Sequence, residues 1–150
     1  MKIYLGSDHQ GFDLKNKLAE YLAKRKTPVE DLGNRELKPD DDFPQFAAAA
    51  ALRIIDDPKA RAILICGGGQ GMAMAANRFR GVRAIIAASA DDAFYGRNDN
   101  DANVLCLPAR ILNNPDEDAI WKNIVDTFLA TEFANATRYV RRNRELDELA

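Results

Sequence analysis

Short apolar runs alternate with helix-length amphipathic segments along all 150 residues, and this alternation constrains the fold more than any other feature. Strands are expected over residues 3–5, 29–32, 62–65, 82–87 and 104–107, and helices over 11–25, 44–56, 71–80, 91–97, 116–131 and 135–149. A strand pairing in parallel with the next needs a crossover of about a dozen residues, and segments of this length supply it. The pattern therefore predicts an α/β fold with five parallel strands between helices. In the first helix, Leu14, Leu18, Tyr21 and Leu22 recur at the i, i+4, i+7, i+8 spacing of a core-facing stripe. Residues 33–42 carry no such stripe and read as a loop. With 47% hydrophobic residues the chain can bury one core, and no repeat or linker divides it, so a single domain over 1–150 is expected.

Charge and cysteine usage exclude several function classes. Lysine and arginine total 21 against 23 acids, a net charge of -2, so there is no general electrostatic case for nucleic acid or an anionic membrane surface. The first residues reach Asp8 after three apolar side chains, unlike a secretory leader, and the longest apolar run, 46–52, is mostly alanine and too short to span a bilayer. Cys66 and Cys106 make no disulfide framework, and no histidine or thiol cluster has zinc-ligand spacing. A cytoplasmic protein with reduced thiols is expected, with Cys106 in the core. The run Asp40-Asp41-Asp42 reads as a solvated loop and helix cap rather than a metal site.

In open α/β sheets, ligands bind beyond the carboxyl ends of the strands. That rule selects Asp8 and His9 after the first strand, Cys66 with Gly67, Gly68, Gly69, Gln70 and Gly71 after the third, and Arg110 after the fifth, as residues sharing one cleft. Four glycines in five positions let backbone N–H groups approach an anion closely, at the positive end of the following helix. Taken singly, the thiol reads as a core residue and the glycines as a tight turn. Together they place a base beside a ring of donors, the arrangement that proton abstraction next to a carbonyl requires. Position 72 is methionine where a dinucleotide fingerprint needs glycine, and no Gly-Lys-Ser/Thr follows, so neither nucleotide motif is present. Asp8 suits sugar hydroxyls, and His9, the sole histidine, suits a phosphate or a ring oxygen. Arg138 and Arg142 lie four apart on one helix face, either as a solvated face or as a phosphate clamp. That helix follows the five-strand unit, so reaching a site from it calls for a neighbouring subunit.

Five segments, Gly6-Ser7-Asp8-His9-Gln10-Gly11, Asp42-Phe43-Pro44, Cys66-Gly67-Gly68-Gly69-Gln70-Gly71, Asn100-Asp101-Ala102-Asn103-Val104-Leu105 and residues 138–142, resemble the type B ribose-5-phosphate isomerase and galactose-6-phosphate isomerase family. The likeness spans nearly the whole chain in order and is most specific over 65–110, where Ala75-Ala76-Asn77-Arg78 and Gly81-Val82-Arg83-Ala84 continue it. The resemblance implies a three-layer, Rossmann-like domain, usually a homodimer and in some cases a tetramer, with sites shared between subunits and neither metal nor cofactor. It implies an aldose-ketose isomerase, by default of ribose 5-phosphate and ribulose 5-phosphate, working through a cis-enediolate with Cys66 as base. Asp8, His9 and Asn100 then match substrate contacts, residues 67–71 the enediolate site, and Arg110, Arg138 and Arg142 the phosphate site. The helix over about 135–149 is expected to pack on the neighbouring subunit.

This chain departs from the family pattern at four places. Asp99 stands where the family commonly has the histidine that opens the furanose ring, and is expected to replace it as proton donor. Gly68 stands for a threonine or serine, Phe43 for a tyrosine, and Tyr139 for a histidine. These changes leave two alternatives open: an isomerase of a six-carbon or acyclic sugar phosphate, or a non-catalytic sugar-phosphate-binding subunit or sensor.

Overall fold

A computed structural model describes residues 1–149; Ala150, the last residue of the expected domain, lies outside them. Five strands, β1 (Ile3–Ser7), β2 (Val29–Asp31), β3 (Arg61–Cys66), β4 (Ala84–Ile86) and β5 (Val104–Pro108), form one parallel sheet in the order β2-β1-β3-β5-β4. Helices α1 (Phe12–Lys24), α2 (Phe43–Asp56), α3 (Gln70–Ala76), α4 (Ala90–Asn100), α5 (Ala109–Leu112), α6 (Asp118–Ala130) and α7 (Thr137–Asp147) connect or follow the strands. The expected α/β architecture is present. The chain passes from β3 to β4 by skipping one strand position, which β5 then fills.

Alternate residues of each strand serve opposite faces. Ile3, Leu5, Ile63, Ile65, Leu105 and Leu107 meet α1 and α6, whose Leu14, Leu18, Leu22, Trp121, Ile124 and Phe128 are buried. Tyr4, Ala62, Leu64, Cys66, Val104 and Cys106 meet α2 and α3 on the other face, against residues such as Phe46, Ala50, Ile54 and Met72. This makes the three layers and places both cysteines on the α2–α3 side, with Cys106 in the core as expected. Tyr21, the third member of the expected stripe, is only half-buried, with its hydroxyl donating to Asp126 at 2.7 Å. Lys15 is the buried residue of α1 that the apolar pattern misses.

Element ends move for identifiable reasons. α4 begins in a capping box between Ser89 and Asp92 and runs to Asn100 rather than 97, because Arg97 pairs with Asp101 at 2.7 Å and Asp101 ends the helix in the left-handed conformation. α3 stops at Ala76 instead of 80, because the Asn77 side chain turns to bond both Ala84 N–H and Ala84 C=O, fastening the start of β4. The short helix α5 and a 3-10 turn, Pro115–Glu117, are additions the periodicity does not reveal. No described helix is long and apolar enough to cross a membrane.

The turn from β1 into α1 lies hard against β3. A Cβ added at Gly11 would stand 2.4 Å from the Ile65 carbonyl oxygen, and that oxygen is backbone that cannot swing aside. Gly11→Ala is expected to cost about 1–3 kcal/mol through overpacking. Thermal unfolding checks this as a fall in Tm of roughly 2–4 °C per kcal/mol for a domain of this size.

Candidate active site

The carboxyl ends of β1, β3 and β5 converge, and each contributes a differently held side chain. After β1, Asp8 is buried, and its Oδ1 accepts from Gln10 N–H at 2.9 Å and Gly11 N–H at 3.1 Å, closing the turn on itself. Its own N–H donates to the Ile65 carbonyl at 3.3 Å, which fixes it to the end of β3. Burial raises the Asp8 carboxyl above its ordinary pKa, only partly opposed by those backbone N–H groups.

His9 turns the other way. Its backbone N–H donates to Asp41 Oδ1 at 2.8 Å, and its ring Nδ1 lies 3.0 Å from the same oxygen. The hydrogen bond to Asp41 raises the imidazole above its usual pKa. The expectation of a merely solvated acidic run is therefore corrected: the Asp41 side chain is 5% exposed and also accepts from Asn34 Nδ2 at 2.8 Å. Asp42 occupies the helix-cap position of α2 yet makes no side-chain cap bond. An acidic triplet in the sequence does not reveal which carboxylate folds inward, because the partner that draws Asp41 in, His9, lies 32 residues away.

After β3, the Cys66 side chain is buried and its Sγ accepts from Gly69 N–H at 3.1 Å. Gly69 adopts φ +77°, a conformation other residues rarely take, and this turn delivers the chain into α3. The Gln70 side-chain amide folds back over Gly68, with Oε1 1.9 Å from where a Cβ would sit. The Phe43 ring closes against Gly71, 2.9 Å from a Cβ placed there. Arg110 joins the group from the start of α5: its N–H donates to the Gly67 carbonyl at 2.9 Å and its Nε to Gln10 Oε1 at 2.9 Å. Gln10 is thus a site residue that sequence reasoning passed over. The conspicuous neighbours Asp8 and His9 masked it.

Asp8, His9, Cys66, residues 67–71 and Arg110 accordingly gather at one end of the sheet. Asp99 and Asn100 do not join them within the chain. The Asn100 carbonyl accepts from Arg83 Nε at 3.0 Å, and Arg83 precedes Ala84, which pairs with Val104; Cys66 pairs with Pro108. Four strand residues separate those levels, about 13 Å. Asp99 is half-buried, accepts from Asn98 Nδ2 at 2.7 Å and exerts its charge on Arg138 of α7, whose guanidinium bonds and stacks on Tyr139. Arg142 is exposed. No hydrogen bond or ion pair among the described residues links Asp99, Asn100, Arg138 or Arg142 to the Cys66 group. Arg83, also unanticipated, ties the far end together by bonding Asp101 and, through both carboxylate oxygens, Asp147 of α7.

Comparison with known proteins identifies the family. The family model described as Ribose/Galactose Isomerase matches residues 3–146. A probable ribose-5-phosphate isomerase B of Mycoplasma pneumoniae is 41% identical over 131 residues, covering 87% of this chain and 84% of that one. Ribose-5-phosphate isomerase B of Mycolicibacterium paratuberculosis is 36% identical over 142 residues, covering 95% and 87%. Among solved structures, a ribose 5-phosphate isomerase from Thermotoga maritima has a TM-score of 0.91 at 39% identity, with 98% and 97% of the two chains covered. Ribose-5-phosphate isomerase B from Mycoplasma genitalium, solved with bound ribulose 5-phosphate, has a TM-score of 0.91 at 36% identity, covering 99% and 95%. Sequence match and superposition extend across the strand ends where the thiol and glycine loop meet, and the chain belongs to the ribose/galactose isomerase family of sugar-phosphate isomerases.

Proposed function

We propose that this chain interconverts ribose 5-phosphate and ribulose 5-phosphate with Cys66 as the base. The observation that carries the reading is the Cys66 sulfur held at the strand end by Gly69 N–H, within the glycine loop that leads into α3. From the open-chain aldose, the Cys66 thiolate takes the C2 proton, and the C2–H electrons form a C1=C2 bond as the carbonyl oxygen on C1 gains negative charge. Amides of residues 67–71 stabilise that charge, which develops only as the proton leaves. The thiol then returns the proton to C1, the O2 proton passes to O1, and C2 becomes the ketone.

Asp8 binds sugar hydroxyls, Asn100 contacts the sugar, and His9, Arg110, Arg138 and Arg142 take the phosphate. Asp99 stands where the ring-opening acid is needed: as the C1–O bond of the furanose breaks, the ring oxygen takes up a proton relayed through it and the C1 hydroxyl gives its proton to water, leaving the C1 carbonyl. The placement of Asp99 and Asn100 at the opposite end of the sheet supports a site completed by a second copy, hence a homodimer whose pairs can assemble further. The exposed Val140 and Leu146 of α7 support the packing of that helix on the partner. The enzyme works in the cytoplasm, with no metal or cofactor.

Initial isomerisation rates on ribose 5-phosphate, allose 6-phosphate and galactose 6-phosphate test the reading. Ribose 5-phosphate is expected to give the highest kcat/KM. Phosphosugar binding without turnover of any of the three would overturn it in favour of a non-catalytic subunit.

A further inference from the structure

The Asp41 carboxylate is almost enclosed, and a buried carboxylate is tolerated only where donors surround it. It has three: His9 N–H and ring Nδ1 on Oδ1, and Asn34 Nδ2 on Oδ2. The support continues inward. The Asn34 carbonyl accepts from the Nζ of buried Lys15 at 3.1 Å, and Lys15 is also bonded to Asp31, whose other oxygen accepts Gly33 N–H at 2.8 Å. The loop that carries Asp41 is thereby anchored to α1 through a cation with 1% exposure. An ionised carboxylate only accepts, so the imidazole must present Nδ1–H to it. That leaves Nε2 as the ring nitrogen available to a ligand, on a side chain that is 34% exposed.

We propose that Asp41, braced by Asn34 and Lys15, is a positioning residue for sugar-phosphate binding: it fixes the His9 ring with Nδ1–H inward and Nε2–H outward, as a donor to the substrate phosphate. This rests on the reading of His9 as a phosphate contact. The charged groups acting on the imidazole are Asp41 from the loop before α2 and Asp8 from its own strand end; Arg110, bonded to Gln10, is the cation at the adjoining strand end. Both acids favour the imidazolium, so His9 stays charged above its ordinary pKa of 6.5. A phosphomonoester becomes a dianion above a pH of about 6. Affinity is therefore greatest between those two titrations and falls as the pH rises through the His9 value.

Because His9 is the only histidine, its Cε1–H proton resonance reports its titration without ambiguity. In Asp41→Asn the midpoint is expected to fall, and KM for ribose 5-phosphate at pH 7.5 to rise about fivefold with kcat within about twofold, the signature of lost binding rather than lost chemistry. Asn34→Ala, which leaves the carboxylate in place but unbraced, should move both readouts the same way by less, and it decides the matter if Asp41→Asn does not fold. An unchanged His9 midpoint in the folded variants, or a fall in kcat without a rise in KM, would overturn the proposal. Titrating the His9 resonance with inorganic phosphate needs no turnover, so an inactive wild type would sink the ribose 5-phosphate reading while leaving this inference to its own test.

Discussion

Cys66→Ala is expected to lower kcat for ribose 5-phosphate by about 10³-fold or more, or about 4 kcal/mol of transition-state stabilisation. The sulfur is the one group at the end of β3 able to exchange a proton with a bound carbon acid, since the rest of the loop offers backbone donors and a neutral amide. Loss of activity should not reflect loss of fold. Removing one sulfur from a site bounded by α3 leaves a small cavity, costing about 1–2 kcal/mol, so the far-ultraviolet spectrum and cooperative unfolding should persist. Cys66→Ser retains an acceptor for Gly69 N–H but is a far weaker base, and should resemble alanine in activity while staying closer to wild type in stability. Deuterium uptake from heavy water into the sugar carbons provides the direct readout. Retained exchange in Cys66→Ala would remove the residue from the mechanism. Cys106 is the internal control: it is wholly buried, and burial first, then the neighbouring Cys66, pushes its thiol pKa up, so its replacement should leave exchange intact.

The second large effect is a recovery. Cys66→Ala and Asn100→Ala proteins should each be nearly inactive, yet dissociating, mixing and reassociating them should restore activity to about a quarter of the wild-type level. The reason lies in the sheet. Asn100 sits at the level of Ala84 and Val104, whereas Cys66 sits at the level of Pro108, and a parallel strand does not fold back to bring those levels together. A site needing both must take one from each of two copies. In a statistical mixture about half of the dimers are mixed, and in each of those one of the two sites keeps both residues. A mixture no more active than its components would show that the site lies within a single chain. Arg83 matters to this arrangement because it holds the end of α4 and Asp147 of α7 as one unit, so that Asp99, Asn100 and the α7 arginines would reach the partner together.

The resemblance and the strand-end rule located Cys66, the glycine loop, Asp8, His9 and Arg110 correctly relative to one another, because each lies within a few residues of where an apolar run stops. Such signals are local. Asp41 and Gln10 were not found that way, since a carboxylate 32 residues from His9 and an amide 100 residues from Arg110 become partners only through folding. The length of α4 was misjudged for a related reason: the bond from Arg97 to Asp101 outweighs the polar composition of residues 98–100.

Periodicity along the chain determined the elements, their parallel alternation and the ends at which chemistry could sit, because those depend on side-chain spacing of 2 or 3.6 residues. Only the tertiary structure decided that β5 lies between β3 and β4, that Asp41 rather than its acidic neighbours supports His9, and that Asn100 lies at the other end of the sheet from its own Cys66. These are set by contacts between residues far apart in sequence, where burying one arrangement of apolar faces excludes the others.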